Sequence, residues 1–413
     1  MNAFMPADIL LPQVEDMSKW AIIACDQFSS NPAYWQRVWE TAGDAPSCIN
    51  LILPEAELGT PREEAHTALI NETMTRYLQN GIFKSYEHAF VYVERTLASG
   101  AVRKGLIGMV DLDAYDYAVG STSAIRATEK TVVERIPPRM KVRRNAPVEL
   151  PHILMLCDDH EKVLVEPIAA VKETLPKLYD FDLMEDGGHI TGWLVQGELV
   201  QTFEERLTDY TATVGKKYEG LPGAPMVFAV GDGNHSLATA KACYEELKAA
   251  NPGVDLSGHP ARYALVELEN IHDEAQVFEP IHRVVFKTDT KKLLADLEAS
   301  CCAEGGYPVT WYVGAESGTV SLDPARSQLA VGVLQSFLDT WLAEHPGEID
   351  YIHGDDDLRQ LASQENAIGF LLPAMEKSQL FRGVIADGIL PRKTFSMGHA
   401  REKRYYLEGR VIR

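Results

Sequence analysis

Residues 226–240 constrain the fold more than any other stretch, because a strand pattern, a tight turn and a helix pattern follow one another without a gap. Five apolar residues suited to a buried strand lead into Gly231-Asp232-Gly233-Asn234, a strongly turn-prone run. A helical pattern follows at once, with its apolar positions at Leu237, Ala240, Tyr244 and Leu247. A strand that turns directly into a helix indicates an α/β fold.

The turn of this junction is also the strongest candidate for a ligand site. The first N–H groups of a helix lack backbone partners and lie at the positive end of the helix dipole, so an anion such as phosphate is favoured there. Asp232, Asn234, His235 and Ser236 add a carboxylate, an amide, an imidazole and a hydroxyl to the same turn. The alternative is that Asp232 and Asn234 only cap the helix.

The net charge of −21 limits the partners that this chain can have. Such a charge repels nucleic acid and anionic membranes over most of the surface, so we expect neither as a partner. The sequence has no apolar run long enough to span a membrane and no signal-peptide pattern at its start, which predicts a cytoplasmic protein. The six cysteines lack the spacing of a zinc site or a disulfide framework. A phosphate ligand would therefore need a local basic patch.

A basic patch of this kind lies at residues 126–144, where seven positive charges accompany only two acids, Glu129 and Glu134. Its cations are Arg126, Lys130, Arg135, Arg139, Lys141, Arg143 and Arg144. Pro137-Pro138 stiffens the segment, and a stiff loop can hold guanidinium groups where a phosphate needs them. The alternative is a solvated face that balances neighbouring acids.

Several further elements are predicted along the chain. A strand at residues 20–25 leads into a polar loop in which Asp26 and Ser29 or Ser30 are candidate ligand groups, although Asn31-Pro32 is also an ordinary helix entry. The segment that begins at Thr60 has the form of a capping box and predicts a helix to about residue 80. Residues 89–97 and 105–112 predict an antiparallel hairpin.

The middle of the chain predicts a strand at residues 152–157, a helix at about 166–179, and a hairpin of residues 193–195 and 198–200 that turns at 196–197. His189 precedes this hairpin and is a candidate for the substrate cleft. His282 and Arg283 are neighbours on a predicted strand, so at most one of them enters a given cleft. From residue 291 the pattern is that of a smaller α/β unit.

At residues 232–236 the chain resembles the Asp-Gly-His-His-Arg signature of a bacterial and archaeal family catalogued as domain of unknown function number one thousand and fifteen. Four other stretches resemble that family's motifs in the same order. They are Arg126-Ala127-Thr128-Glu129-Lys130-Thr131, Gly188-His189 with Trp193, Glu279-Pro280-Ile281-His282-Arg283, and Leu390-Pro391-Arg392-Lys393-Thr394-Phe395.

The signature is similar to the phosphate-binding box of the ParB/sulfiredoxin superfamily, which includes nucleotide hydrolases, sulfiredoxin and kinases that act on free serine. The resemblance implies a ParB/sulfiredoxin-like mixed-sheet core at residues 1–290 and a smaller C-terminal α/β unit at 291–413. Members of the family are often encoded beside serine-biosynthesis genes. This implies phosphate chemistry on a small metabolite, with a nucleotide such as ATP or ADP and with Mg²⁺ as candidate cofactors.

The resemblance suggests roles for the site residues. Asp232, His235 and Glu129 are the candidate catalytic residues, and Asp232 is also the candidate ligand of Mg²⁺. The candidate phosphate-binding or nucleotide-binding residues are Gly231, Gly233, Asn234, Ser236, Arg126, Lys130 and Arg139. The candidate residues of the substrate cleft are Asp26, His189, His282 and Lys393.

The chain departs from the family's motifs at three positions. Asn234 and Ser236 stand where the family has histidine and arginine, and Thr128 stands where it usually has histidine. The missing arginine would contribute about 1.5 to 3 kcal/mol of charge-assisted hydrogen bonding to a phosphate, so Arg126 and Arg139 are the expected substitutes. The function predicted is a phosphotransferase or phosphatase acting on serine, phosphoserine or a similar metabolite. The alternative is a regulatory protein that binds a nucleotide or phospho-metabolite without turnover.

Overall fold

The computed structural model describes residues 2–24, 28, 31–54, 57, 60–131, 136–221, 225–398 and 400–413. In these residues the strands are β1 (Phe4–Met5), β2 (Ala7–Pro12), β3 (Phe83–Thr96), β4 (Val102–Asp111), β5 (Tyr115–Asp116), β6 (Ile125–Ala127), β7 (Val148–Glu149), β8 (Leu154–Cys157), β9 (Lys177–Asp182), β10 (His189–Val195), β11 (Phe228–Asp232), β12 (Tyr263–Asn270), β13 (Phe278–Phe286), β14 (Tyr307–Val313), β15 (Glu316–Leu322), β16 (Glu348–His353), β17 (Ile368–Leu371), β18 (Phe395–Met397) and β19 (Arg410–Val411).

The α-helices of the same residues are α1 (Pro32–Ala42), α2 (Glu63–Gln79), α3 (Ile136–Arg143), α4 (Glu166–Ala169), α5 (Glu198–Lys217), α6 (Asn234–Ala250), α7 (Thr290–Ala299), α8 (Ala330–Glu344), α9 (Asp355–Ala362) and α10 (Lys377–Asp387). None of the helices in the described ranges has the length and apolar character that a membrane crossing requires.

The larger sheet has eleven strands in the order β5-β6-β11-β8-β12-β4-β3-β10-β9, with β1 on β4 and β2 on β3. The pairs β5 with β6, β6 with β11 and β8 with β12 are parallel, whereas the other pairs are antiparallel. This mixed sheet, together with the helices, confirms the predicted mixed α/β fold class.

The smaller sheet is antiparallel, with the order β15-β14-β17-β13-β16 and with β18 on β13. Its strand β13 begins at Phe278, before the boundary that the sequence predicts between residues 290 and 291. The smaller sheet thus includes residues on both sides of the predicted boundary, and the division into two units stays a prediction. The last residues of the chain return to the first part of the molecule, where β19 pairs with β7 and Gly409 bridges to Leu10.

The middle of the larger sheet packs against a core on each face, as strand β3 shows. Phe90 and Tyr92 pack into the core that holds Phe203 of α5, whereas the alternate residues Val91 and Val93 pack into a second core with Trp20. Side chains of a strand point to opposite faces in turn, so the segment of β3 that lies between the two cores, residues 89–93, is apolar. The predicted hairpin of residues 89–112 is confirmed as β3 and β4.

Three predicted elements differ from the structure. Residues 20–24 make a single bridge, from Ile22 to Tyr406, rather than a strand. The helix predicted at 166–179 is only the short α4 followed by a 3-10 turn and β9, since Pro176 cannot continue a helix. The second arm of the hairpin predicted at 198–200 is wrong, because the 20-residue helix α5 begins at Glu198.

Two helix predictions are confirmed. Helix α1 begins at Pro32, and the Asn31 side chain accepts a hydrogen bond from the Tyr34 N–H at 3.1 Å, which confirms the helix-entry interpretation. The candidates Asp26, Ser29 and Ser30 lie outside the described residues. Helix α2 is present at Glu63–Gln79, but its N-cap is Arg62 and no side chain caps it, so the predicted capping box at Thr60 does not form.

Candidate functional site

A cleft of about 470 Å³ lies where β11 ends, between the larger sheet and the edge of the smaller one. Its volume is in the range of small-molecule sites. The charged side chains that line its described part are the cations Lys130, Arg139, Arg143, Arg392, Lys393 and Lys403 and the carboxylates Glu129, Glu149 and Asp232. In a chain with a net charge of −21, this local excess of cations favours an anionic ligand.

The Asp232 loop connects β11 to α6 and forms the floor of the cleft. The pairing of β11 with β8 is irregular between Val230 and Asp232, and this places the end of the strand at the cleft. A side chain at Gly231 would collide with Met397 and Leu156 at 2.8 to 2.9 Å. Gly233 has φ of +81°, and a Cβ there would lie 3.0 Å from the Ile153 Cα atom. Both positions therefore require glycine.

The side chains of the Asp232 loop do not cap helix α6. The N-cap residue is Gly233, which makes no side-chain cap, and the Asp232 Oδ1 atom accepts a hydrogen bond from the adjacent Gly233 N–H at 2.9 Å. The Asn234 Oδ1 atom is buried and has no hydrogen-bond partner among the described residues. Because buried polar atoms are normally paired, Asn234 points to a ligand or a water molecule at this position. The capping alternative is therefore wrong.

Asp232 forms an ion pair with Lys403, whose Nζ atom lies 2.9 Å from Oδ2. Burial alone would raise the pKa of Asp232, but the charge and the hydrogen bond of Lys403 hold this pKa below its ordinary value. The Asp232 side chain keeps 25% of its surface exposed, so it remains accessible from the cleft. Asp232 is thus an ionised carboxylate at the working pH of most enzymes.

Glu129 is a second carboxylate of the cleft, and its environment raises its pKa, whereas that of Asp232 is lowered. Burial raises the pKa of Glu129, although Lys393 lowers it in part. The Glu129 Oε1 atom accepts a hydrogen bond from the Lys393 N–H at 3.1 Å, and the Leu390 N–H donates to the Thr128 carbonyl at 2.9 Å. Lys393 itself has φ of +57°, an unfavourable conformation for a residue with a side chain. Such strain is common at functional sites.

The basic segment 126–144 contributes only some of its charges to the cleft. The candidate residues Lys130 and Arg139 line the cleft, and Arg143 lines it while paired with Glu149 at 2.6 Å. Lys141 and Arg144 form ion pairs elsewhere, with Glu63 and Glu246 respectively, so the solvated-face interpretation describes these two. Arg135 and Glu134 lie outside the described residues.

Three predicted site residues lie elsewhere in the structure. Arg126 is buried and donates from Nε to the Ser123 carbonyl at 2.8 Å, because its strand β6 runs inside the sheet. His189 is partly exposed on β10, where its ring nitrogens bind Asp180 and Asp182. His282 is buried; its Nδ1 atom accepts the Leu372 N–H at 3.1 Å and its Nε2 atom pairs with Asp355. Of the described candidates, these three do not line the cleft.

The remaining described candidates do come together. The cleft is lined by Gly231, Asp232, Gly233, Asn234, His235, Ser236, Glu129, Lys130, Arg139 and Lys393. Thr128, which stands where the resembling family has histidine, is buried and donates from Oγ1 to the Val230 carbonyl at 2.7 Å. Its hydroxyl therefore joins β6 to β11 behind the Asp232 loop.

Five polar residues that line the cleft were not among the site candidates predicted from the sequence. These are His152, Tyr351, His353, Arg392 and Lys403. Tyr351 accepts a hydrogen bond from the Arg392 Nε atom at 2.8 Å, which joins the smaller sheet to the end of the chain. The only local signal for Lys403 was a short basic run, Arg401 to Arg404, in an acidic chain.

Mg²⁺ is a candidate cofactor at Asp232. The described residues contain no group of three or more acidic, histidine or cysteine side chains that could hold a metal ion by themselves. Mg²⁺ is usually bound by one or two carboxylates together with water and the phosphates of a substrate. Asp232 fits this manner of binding, and a bound Mg²⁺ would supply charge neutralisation for phosphate oxygens.

The chain was compared with known families and with solved structures. A family model described as a protein of unknown function (DUF1015) matches residues 6–388. None of the curated proteins matches the chain. A mutant of free serine kinase in complex with AMP is 12% identical over 72% of this chain and 90% of its own, with a TM-score of 0.38.

Two further solved structures are similar at the same level. A free serine kinase mutant in complex with ADP is 11% identical over 73% of this chain and 91% of its own, with a TM-score of 0.37. A conserved hypothetical protein from Pyrococcus furiosus is 12% identical over 72% and 92%, with a TM-score of 0.35.

Proposed function

The chain belongs to the DUF1015 family, and from its cleft we propose that it catalyses phosphate chemistry on a small metabolite. The reaction is the transfer of a phosphoryl group between a nucleotide and a small hydroxyl compound such as serine, or the hydrolysis of such a phosphate ester. The observation that carries this proposal is the Asp232 loop, a strand-to-helix turn in a cleft where six cations accompany three carboxylates among the described lining residues.

Phosphate binding is supported by the way that helix α6 begins. Its first turn opens onto the cleft at Asn234, His235 and Ser236, with the glycine Gly233 directly before it. Backbone N–H groups at a helix start favour an anion, and a glycine lets the ligand approach the backbone closely. Lys130 and Arg139 reach the same cleft from another segment and would neutralise further phosphate oxygens.

Acid–base chemistry is supported by the two carboxylates Asp232 and Glu129. Their environments push their pKa values in opposite directions, which is the pattern expected of two groups with different roles. Glu129, with the raised pKa, would accept the proton of the attacking hydroxyl while the new O–P bond forms and the bond to the leaving phosphate breaks. Asp232, which stays ionised, would orient the cationic partners of the phosphate groups.

A nucleotide is supported by the lining of the cleft. Besides its charged groups, the lining includes the apolar side chains of Leu51, Ile52, Met74 and Val142. An uncharged ring such as a nucleoside base could pack on these side chains while its phosphates reach the Asp232 loop. Serine is the acceptor that the family resemblance suggests.

The test is a set of incubations followed by phosphorus NMR. Purified protein is incubated with ATP, ADP or pyrophosphate plus L-serine, and separately with O-phosphoserine alone, each with and without Mg²⁺. New phosphoserine with loss of the donor identifies a kinase, whereas inorganic phosphate from phosphoserine identifies a phosphatase. The variant Glu129→Gln should reduce either reaction strongly. Arg144→Ala, which changes a charge of the basic segment outside the cleft, should leave it unchanged.

The alternative function, binding without turnover, is favoured by one observation. Ser236 gives the first turn of α6 a hydroxyl where the resembling family has an arginine, which removes one charged contact for a phosphate. Calorimetric binding of ADP or pyrophosphate with no product in any NMR incubation would support this alternative. If the protein binds none of these compounds and turns none over, the proposed phosphate chemistry is wrong.

A further inference from the structure

The last part of the chain crosses the cleft and supplies several of its polar groups. We call residues 391–398 and 400–406 the strap. It brings Arg392, Lys393, Lys403 and Tyr406 to the lining. The strap lies after the matched range 6–388 of the family model. Arg392 and Lys393 belong to the stretch 390–395 that resembles a family motif, whereas Lys403 lies in none of the resembling stretches.

One end of the strap is held by a buried arginine of the smaller sheet. Arg283 of β13 is fully buried, and its guanidinium donates to the Lys393 carbonyl at 2.9 Å and to the Arg392 carbonyl at 3.1 Å. A buried guanidinium is costly unless its N–H groups are hydrogen-bonded, so these contacts fix both partners. The backbone at residues 392–393 is thus locked beside Glu129.

The other end is held by two buried arginines of the larger sheet. Arg95 and Arg103 lie opposite each other in the β3–β4 hairpin. Arg95 donates to the carbonyls of Arg401 and Lys403, the latter at 2.6 Å, and Arg103 donates to the Glu402 carbonyl at 2.7 Å. Like charges opposite each other on a sheet are unfavourable. Three successive carbonyls of the strap, together with an ion pair from Arg103 to Glu269, offset that cost.

We call the hydrogen bonds from Arg95 and Arg103 to the strap the clamp. The clamp fixes the backbone from which the Lys403 side chain extends. The Lys403 ammonium group lies 2.9 Å from Asp232 at the floor of the cleft, and only 16% of the side chain is exposed. An ammonium group has three N–H donors, and a carboxylate at one side does not prevent it from binding a second anion at the other. Lys403 lines the cleft beside Asp232, so a ligand bound in the cleft can reach both side chains.

We propose that Lys403, positioned by Arg95 and Arg103, is a ligand-binding residue that contacts the phosphate group of the bound molecule directly. This inference rests on the proposed function, because it names one more residue of the same phosphate site. Arg95 and Arg103 are positioning residues, since they hold the strap and do not line the described part of the cleft. The phosphate site is complete only when the strap is clamped in place.

The test measures the dissociation constants of inorganic pyrophosphate and ADP by calorimetry. Lys403→Met should weaken the binding of both at least tenfold, and Lys403→Arg should restore it to within about threefold of the wild type. The matched control is Lys217→Met, because Lys217 also pairs with an aspartate, Asp158 at 2.6 Å, and neither residue lines the described part of the cleft. It should leave both affinities unchanged.

A second pair of variants separates direct contact from an effect through Asp232. In Asp232→Asn, the carboxylate partner of Lys403 is neutral, so the further change Lys403→Met leaves no unpaired charge behind. The double variant should still bind pyrophosphate at least tenfold more weakly than Asp232→Asn alone. Equal affinities of these two proteins would overturn the proposal, because Lys403 would then act only by neutralising Asp232.

The outcomes distinguish this inference from the proposed function. If the wild type binds pyrophosphate or ADP and His235→Ala weakens that binding, but Lys403→Met does not, the role of Lys403 is overturned while the phosphate site stands. If the wild type binds neither compound, the phosphate site and the role of Lys403 both fail. Near-ultraviolet circular dichroism establishes whether each variant is folded. If Lys403→Met alone does not fold, the comparison of Asp232→Asn with the double variant decides the question.

Discussion

Two lysine–aspartate pairs lie at opposite ends of two neighbouring strands of the larger sheet, and their surroundings differ. Asp158 follows β8 and Asp232 ends β11, and these two strands are antiparallel neighbours. Lys217 binds Asp158 at 2.6 Å, and Lys403 binds Asp232 at 2.9 Å. Burial would raise the pKa of each carboxyl, and in both cases hydrogen-bonded neighbours hold it below its ordinary value.

The surroundings of the two pairs separate a structural site from a functional one. Asp158 also accepts hydrogen bonds from the Tyr218 hydroxyl and from the His272 Nε2 atom at 2.6 Å, and only 1% of its side chain is exposed. Asp232 is 25% exposed and faces a cleft lined by further cations. The oxygens of Asp158 are occupied by protein donors and are buried, so they cannot bind a ligand. The carboxylate of Asp232 is partly exposed in the cleft and can contact one. Perturbed titration alone would not distinguish the two.

The largest effect that we expect from this comparison is on stability. Asp158→Ala removes the shared acceptor of Lys217, Tyr218 and His272, so the buried Tyr218 hydroxyl and two charged or polar neighbours lose their partner. The free energy of unfolding should fall by about 3 kcal/mol. Urea unfolding at pH 7 measures this loss. The control is Asp232→Ala, which should cost less than half as much because its carboxylate is partly exposed. Equal losses would show that the two pairs have the same structural role.

The next effect concerns turnover and should fall on the other pair. Asp232→Asn keeps the shape of the side chain but removes its charge, so any phosphoryl transfer or hydrolysis found for the protein should slow by roughly a factor of 100, which corresponds to about 2.7 kcal/mol. Steady-state rates measured by phosphorus NMR or a coupled assay provide the value. Lys217→Met serves as the control and should retain the wild-type rate. An unchanged rate in Asp232→Asn would remove Asp232 from the chemistry.

A smaller effect follows from the glycine that lets the Asp232 loop turn. Gly233 and Gly253 both have φ of +81°, but a Cβ at Gly233 would lie 3.0 Å from the Ile153 Cα atom, whereas a Cβ at Gly253 would meet nothing within 4 Å. Each alanine variant should lose about 1 to 2 kcal/mol of stability from its strained backbone. Only Gly233→Ala should also weaken pyrophosphate binding, measured by calorimetry. Equal binding by both variants would contradict the role of this loop.

The Asp232 loop could be predicted from the sequence, whereas the position of Lys403 could not. The Asp232 loop is contiguous, and its glycines, its strand and its helix are all encoded within residues 226–240, so local pattern alone located it. The hairpin of β3 and β4 was predictable for the same reason. Lys403 reaches Asp232 across 171 residues of sequence, and Arg95 reaches the Lys403 carbonyl across 308. No local pattern carries contacts of that range.

Two errors came from signals that compete locally. Gln196-Gly197 has the composition of a hairpin turn, but the apolar residues beyond it recur at helical intervals, namely Val200, Phe203, Leu207, Tyr210 and Val214, and all are buried in α5. Arg126 was expected at the phosphate because it belongs to a basic segment. Its side chain is instead held within the sheet near Ser123, since the burial of strand β6 outweighs the charge pattern.

The smallest effect that we expect concerns the pH dependence of stability, and it compares the two carboxylates within the cleft. The folded-state pKa of Glu129 is raised, so Glu129 costs stability increasingly as pH rises above its ordinary value of 4.5 toward the raised one. Glu129→Gln should therefore gain stability relative to the wild type over that interval and hold the gain at higher pH.

The folded-state pKa of Asp232 is lowered, so the contribution of Asp232 to stability is complete above pH 3.8 and is lost only as pH falls below that value. Asp232→Asn should accordingly show a constant loss between pH 5 and 8 that shrinks in stronger acid. Urea unfolding of the wild type and the two variants from about pH 3 to pH 8 measures both differences. Parallel pH profiles for the two variants would mean that the cleft does not separate the two carboxyl groups, and the division of roles between proton acceptor and fixed charge would then be lost.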